Sequence, residues 1–373
     1  MNKKISAVVF EGSQADSNVE EMMVSIRHAA LLDNLQKMKQ VSKLGHIYLH
    51  TNRPELATEA NKMGAEVSLN TDAPSSFHFG RELQKTIAQN NIDKAFCLNG
   101  ASCPLVTVQE LEMICSKLQE SVNTVLTNNI QSADLVAFTV PPNIEKAQLP
   151  ATDNSLAMVL RDSLGMHMEL LPQTLGLLFD IDTPTDILVL GAGPYAGNYT
   201  RKAIDDCKLD YKKINEAKNI LNDEYRDIAL IGRVGAPVIE RLNSVLKLRL
   251  RVFSEERGMK ALGRIDENKV ISLLGLLIDH IDPDQFFSYL SQVADCAFID
   301  SRVLMYHYKF KICDKDRFLS DLGLWESVEQ PWLRSFTRAA ENCSIPVILG
   351  GHSLVSGSLW ALSCELSSAK SSR

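Results

Sequence analysis

The chain has 373 residues, 45% of them hydrophobic and 23% charged, with a formal net charge of −7. That length exceeds one ordinary core and predicts two domains. The acidic balance argues against a broad nucleic-acid surface, which needs a basic face, but leaves room for a nucleotide pocket built from a few local donors. The longest apolar run, Leu273–Ile278, is too short to span a membrane. Met1-Asn2-Lys3-Lys4 leads into a short strand pattern, not a leader. Eight cysteines lie scattered without C-x-x-C spacing, as expected of reduced thiols in a cytoplasmic protein.

In chain order, Ile5–Phe10 reads as a buried strand, followed by a turn holding Gly12 and Ser13, then a long helical pattern over Val19–Leu44. Such a turn can aim backbone N–H groups at an anion. His46–His50 is a second strand, Glu55–Met63 a helix, and Ala65–Leu69 a third strand. The loop Asn70–Phe79 carries Ser76 and His78 and runs into a helix near Gly80. It reads either as a cover over a ligand or as a polar loop with two aromatics tucked beneath it.

Lys94–Leu98 is the fourth strand. It ends at Asn99-Gly100-Ala101-Ser102-Cys103-Pro104-Leu105, before a helix Val108–Leu118 capped by Thr107 and Glu110. Asn123–Leu126 and Leu135–Val140 are further strands, and Leu149–Asp162 holds a capped amphipathic helix. Leu177-Leu178-Phe179 reads as a short buried strand. Asp180 and Asp182 follow, one residue apart and so pointing the same way on an extended chain. Thr183-Pro184 with Asp186 then opens a helix that Gly191 stops. Two acids beside a helix start can serve Mg²⁺, or can be solvated acids by a capped helix. Gly191-Ala192-Gly193-Pro194-Tyr195-Ala196-Gly197 is off the dinucleotide fingerprint, and Pro194 obstructs a helix there.

The run Asp180-Ile181-Asp182-Thr183-Pro184-Thr185-Asp186 resembles the closing motif of the MobA-like nucleotidyltransferases, and Gly100-x-x-x-Pro104-Leu105 resembles their central motif. The resemblance covers residues 1–207. It implies a mainly parallel, Rossmann-like α/β sheet that transfers a nucleoside monophosphate from an NTP to a phosphorylated or carboxylate small-molecule acceptor. Asp180 and Asp182 would be catalytic and bind Mg²⁺. Gly12, Ser13, Ser76, His78, Gly80, Gly100 and Ser102 would line the nucleotide. Two departures stand out. No Arg or Lys occurs between Lys4 and Arg27, where the family has a basic phosphate loop. Ala101, Ser102 and Cys103 occupy the region of its metal-binding acid. Loss of groups that act together usually costs orders of magnitude in rate. Two readings therefore stay open: a nucleotidyltransferase, and a nucleotide- or ligand-binding regulatory protein that keeps the fold without the catalysis. Nucleic acid and membranes are not expected partners, and a homo-oligomer is allowed for.

Residues 208–226 read as a helical linker and 227–373 as a second, smaller α/β domain. It has strands at Asp227–Ile231, Leu248–Phe253, within Cys296–Tyr308 and at Ile345–Leu349, and helices at Lys269–Ile281 and Pro283–Ala294. Gly232–Gly235, with Arg233 inside, is either an anion seat or a plain strand-to-helix turn. Gly350-Gly351-His352-Ser353-Leu354 superficially resembles a nucleophile elbow. However, the fifth place of that pattern is Val355, and no His or Asp follows Ser353, so a serine hydrolase is rejected. His352 and Ser353 remain candidates for lining a ligand pocket.

Overall fold

The computed structural model describes residues 4–70, 77–130 and 132–371. It contains two compact units. The first comprises Met1–Gln14, Arg27–Leu178 and Gly197–Thr200; the second comprises Ala15–Ile26, Phe179–Ala196 and Arg201–Arg373. By contacts, the segment carrying Asp180, Asp182 and Asp186 groups with the C-terminal part of the chain, and the main segment of the first unit ends at Leu178.

The first unit is built on seven strands: β1 (Ile5–Glu11), β2 (Leu44–Thr51), β3 (Glu66–Leu69), β4 (Lys94–Asn99), β5 (Thr124–Thr127), β6 (Leu135–Thr139) and β7 (His167–Leu170). Their spatial order is β3-β2-β1-β4-β6-β5-β7. β6 runs antiparallel to β4 and β5, and the other pairs are parallel. The continuous apolar run of β1 follows from its central place, covered on both faces. Ile5, Ala7 and Val9 join one core with Leu31, Leu35 and Met38 of helix α1 (Asn18–Met38). Val8 and Phe10 join the other with Phe79, Leu83 and Ile87.

Further helices of this unit are α2 (Pro54–Lys62), α3 (Phe79–Gln89), α4 (Val108–Glu120) and α5 (Leu156–Asp162). The cap expected for α4 is present: Thr107 N–H and Oγ1 both donate to Glu110 Oε2, at 2.7 and 2.8 Å. Helix α1 stops at Met38, six residues short of the predicted end, and β2 begins at Leu44. No Gly or Pro separates the two elements to mark the break in sequence.

One element differs in type. Leu177-Leu178 belongs to a short helix, α6 (Leu175–Leu178), and not to a strand. Leu177 and Phe179 are nonetheless buried, each 1% exposed. An apolar run of three announces burial without selecting helix or strand. The strand that the pattern did not announce is β7, half-exposed His-Met-Glu-Leu, which pairs parallel with β5 at the sheet edge.

The second unit holds a parallel sheet of β8 (Asp227–Gly232), β9 (Arg249–Ser254), β10 (Cys296–Asp300) and β11 (Val347–Gly350), in the order β11-β10-β8-β9. Its helices include α7 (Pro184–Ala192), α8 (Asn198–Cys207, of which Arg201 onward belongs here), α9 (Lys212–Asn222), α10 (Ala236–Val245) and α11 (Leu273–Val293). The expected linker is mostly α9, which buries Ile214, Ala217 and Leu221. The two helices expected between Lys269 and Ala294 are present as the halves of α11, divided at Asp282 (φ 58°, ψ 165°) ahead of Pro283. Asp282 Oδ1 accepts from Gln285 N–H at 2.9 Å, capping the second half. Among the described residues, no helix is long and apolar enough to cross a membrane.

Candidate functional site

In an open sheet, ligands sit beyond the carboxyl ends of the strands, where the strand order reverses. In the first unit that point lies between β1 and β4. β1 ends in Glu11, whose side chain is 1% exposed. Its Oε2 is 3.5 Å from Arg27 Nη2, and its Oε1 is 4.0 Å from His28 Nε2. Oε1 is buried and receives no hydrogen bond among the described residues; Asn99 Oδ1, at the end of β4, is in the same condition.

Gly100 follows with φ +50°, and its N–H donates to Phe10 O at 2.6 Å. A Cβ there would lie 1.9 Å from Glu11 Oε2, so glycine is required both by conformation and by space. The turn beyond Glu11 is tied down. Ser13 N–H donates to Asn52 Oδ1 (3.1 Å), while Ser13 O accepts from Asn52 Nδ2 (3.2 Å) and Arg53 Nε (3.1 Å). The Ser13 amide is therefore not aimed at an anion. Gly12 stands beside the same asparagine, its would-be Cβ 3.9 Å from Asn52 Oδ1.

The other residues expected at the nucleotide have structural work. His78 is the N-cap of α3, its Nδ1 accepting from Arg81 N–H at 3.3 Å. Gly80 lets α3 approach the chain at Leu149, whose Cβ would be 2.5 Å from a Cβ at this position. Ser102 is buried, and its carbonyl accepts from Asn34 Nδ2 at 3.2 Å. Ser76 lies outside the described residues.

Asp180 and Asp182 lie in the second unit. Ile181 between them is buried, while Asp180 is partly exposed and Asp182 exposed. Asp180 Oδ1 accepts from Ile181 N–H at 2.8 Å. Mg²⁺, which the family resemblance implies, finds little to hold it. Among the described residues no three His, Cys, Asp or Glu side chains converge on one point.

The second unit brings Arg233, Asp300 and His352, from the ends of three strands, to one rim. After β8, Arg233 Nε and Nη2 grip Asp300, the last residue of β10, at 2.5 and 3.1 Å. Burial pushes the Asp300 carboxyl up, but Arg233, His352 and Arg302 outweigh it and hold the group below the usual carboxylate range. After β11, His352 is pushed down to about 4 by burial and then by Arg233, so its imidazole is neutral at pH 7. Behind this rim, Arg302 Nη1 and Nη2 meet Asp321 at 2.9 and 2.5 Å, both side chains buried.

Asp186 supports the His352 loop from beneath. It is 0% exposed and accepts five hydrogen bonds, from Ser353 Oγ (2.6 Å), Ser358 Oγ (2.7 Å), Thr183 N–H (2.8 Å), Thr183 Oγ1 (2.9 Å) and Asp182 N–H (3.1 Å). Ser353 thus donates into a buried carboxylate. A surface hollow of about 460 Å³ lies at the opposite, amino edge of this sheet. Its charges already pair with one another, Arg226 with Asp223 and Arg249 with Asp227.

Sequence reading passed over Glu11 and Asp300. The signal that finds both is an acid closing the apolar run of a buried parallel strand, which places a carboxylate at the ligand edge of the sheet.

No family model matches the chain, and no curated protein is similar to it in sequence. Among solved structures, it is similar to a putative nucleotide-diphospho-sugar transferase from Desulfovibrio desulfuricans G20: 9% identity over 55% of this chain and 95% of that one, TM-score 0.40. It is also similar to a cytidylyltransferase from Leptospira borgpetersenii serovar Hardjo-bovis, with 15% identity, 56% and 94% coverage, and TM-score 0.37. A nucleotidyl transferase from Methanothermobacter thermautotroptrophicus matches at 14% identity, 50% and 95% coverage, and TM-score 0.38. Likeness at this level gives no residue a role.

Proposed function

We propose that the first unit binds a nucleotide at the β1–β4 strand ends and transfers its nucleoside monophosphate to a phosphorylated or carboxylate small-molecule acceptor. The supporting observation is the pair of buried acceptors, Glu11 Oε1 and Asn99 Oδ1, left without donors where the strand order reverses. Ribose hydroxyls are donors of the kind such a pair requires, and an unsatisfied buried acceptor costs about 1–3 kcal/mol until one arrives. In this reading recognition leans on the nucleoside rather than on a triphosphate cradle.

A second reading, binding without turnover, is favoured by Glu11 itself. A carboxylate at the end of β1 repels a phosphate chain, and the Ser13 amide is already occupied by Asn52. Arg27 partners that carboxylate, but the turn itself offers a phosphate no cation, since no Arg or Lys occurs between Lys4 and Arg27. Titration with GTP and CTP, with and without Mg²⁺, followed by assay of pyrophosphate release with candidate acceptors, separates the two. Pyrophosphate release that requires both the nucleotide and the acceptor supports transfer. Mg²⁺-independent binding without turnover supports the second reading, and absence of nucleotide binding refutes both.

A further inference from the structure

We infer that the carboxyl edge of the second sheet is a binding site for a small molecule bearing a phosphate or diphosphate group. The inference is independent of the reading of the first unit.

The topology locates it. From β8 the chain passes through α10 to β9 on one side, and from β9 it returns to β10 on the other side, so the order reverses between β8 and β10. The four strands finish level, with Gly232 opposite Ser254, Ile231 opposite Ile299, and Asp300 opposite Gly350. The loops that follow open on a common rim. Gly232, at φ +107°, allows the ends of β8 and β10 to close together: a Cβ there would be 2.6 Å from Asp300 Cβ.

The side chains on that rim suit a compact anion. Arg233 is held by Asp300 through Nε and Nη2, so one partner fixes its guanidinium in advance and little side-chain freedom remains to be lost on binding. The same pairing leaves Arg233 and Asp300 with no net charge between them, so Arg233 offers an anion its remaining N–H donors and the uncompensated positive charge is that of Arg257. Arg257, from the loop after β9, is exposed and makes no ion pair among the described residues. Its Nη2 lies 3.4 Å from the position of a Cβ on Gly235, the N-cap of α10, which makes no side-chain cap hydrogen bond. The guanidinium and the positive end of a ten-residue helix therefore face the same space. His352, from the fourth strand end, adds a neutral ring nitrogen. Two of the flanking acids are already engaged, Glu256 with Arg264 at 2.6 and 2.7 Å, and Glu255 with Ser272 Oγ and Leu273 N–H, while the exposed Asp182 acts on His352 from the other side. They confine the cationic patch to a few side chains, which fits a small molecule rather than a polyanion needing a broad basic face.

The test is calorimetric titration of the full chain with inorganic pyrophosphate. Arg257 is exposed, so Arg257→Ala and Arg257→Glu should melt at the wild-type temperature. Binding is expected in the wild type, about tenfold or more weaker in Arg257→Ala, since a charge-assisted contact is lost, and abolished in Arg257→Glu. Glu11→Gln, in the other unit, should leave it unchanged. Three results overturn the inference: no pyrophosphate binding up to millimolar concentration, equal affinity in wild type and Arg257→Ala, or a change of similar size, in either direction, in Glu11→Gln.

Discussion

Asp186 sets desolvation directly against hydrogen bonding, and the winner can be measured. Its carboxyl is 0% exposed and receives five hydrogen bonds, which favour the ionised form. Burial nevertheless dominates and pushes the group from 3.8 to about 6. A native pKa above the unfolded one means that, between pH 4 and 6, the folded state binds more protons than the unfolded state. Stability from this group is then complete below about pH 4, is lost as pH rises to 6, and stays lost above. The difference is worth about 3 kcal/mol at most. Asp186→Asn is close to isosteric and cannot ionise, so it lacks the loss. Urea unfolding of both proteins from pH 4 to 7 gives a difference curve in which other titrating groups cancel. The wild type should fall relative to Asp186→Asn as pH rises. A flat curve, or a wild type that gains on the variant, would show that the five donors outweigh burial and refute the reasoning.

His352 should behave in the opposite sense. Its native pKa is lowered to about 4, so stability is lost as pH falls from 6.5, by at most about 3 kcal/mol; the unfolding free energy of His352→Gln should lack that slope. Because this window overlaps that of Asp186, the wild-type profile alone hides both effects, and only single-variant difference curves separate them. Gly100→Ala should cost about 2 kcal/mol or more in chemical denaturation, from positive φ and from the 1.9 Å approach to Glu11; a cost below half of that would mean the strand ends adjust freely. Asp321→Ala should destabilise by about 3–5 kcal/mol, since it strands the buried Arg302 guanidinium; a near-neutral effect would show that water reaches this pair.

What could be read from the sequence lay within a few residues of chain. The alternation of strand and helix, the continuous runs of centrally placed strands such as β1, the capping pair Thr107 and Glu110, and the Asp282-Pro283 restart of α11 all arise from neighbours within about one helical turn. Asp186 was legible in this way as a first-turn acid. Its bonds to Ser353 and Ser358, 167 and 172 residues further on, were not. Strand order, the antiparallel course of β6, the edge strand β7 and the pairing of Arg233 with Asp300 depend on which surfaces are left to cover once local elements form. The assignment of Asp180 and Asp182 to the second unit was decided in the same way, by packing of the buried residues around them. Local chemistry determined what each segment becomes; only the folded chain decided which strand ends share a rim, because that rim is assembled from loops separated by tens of residues.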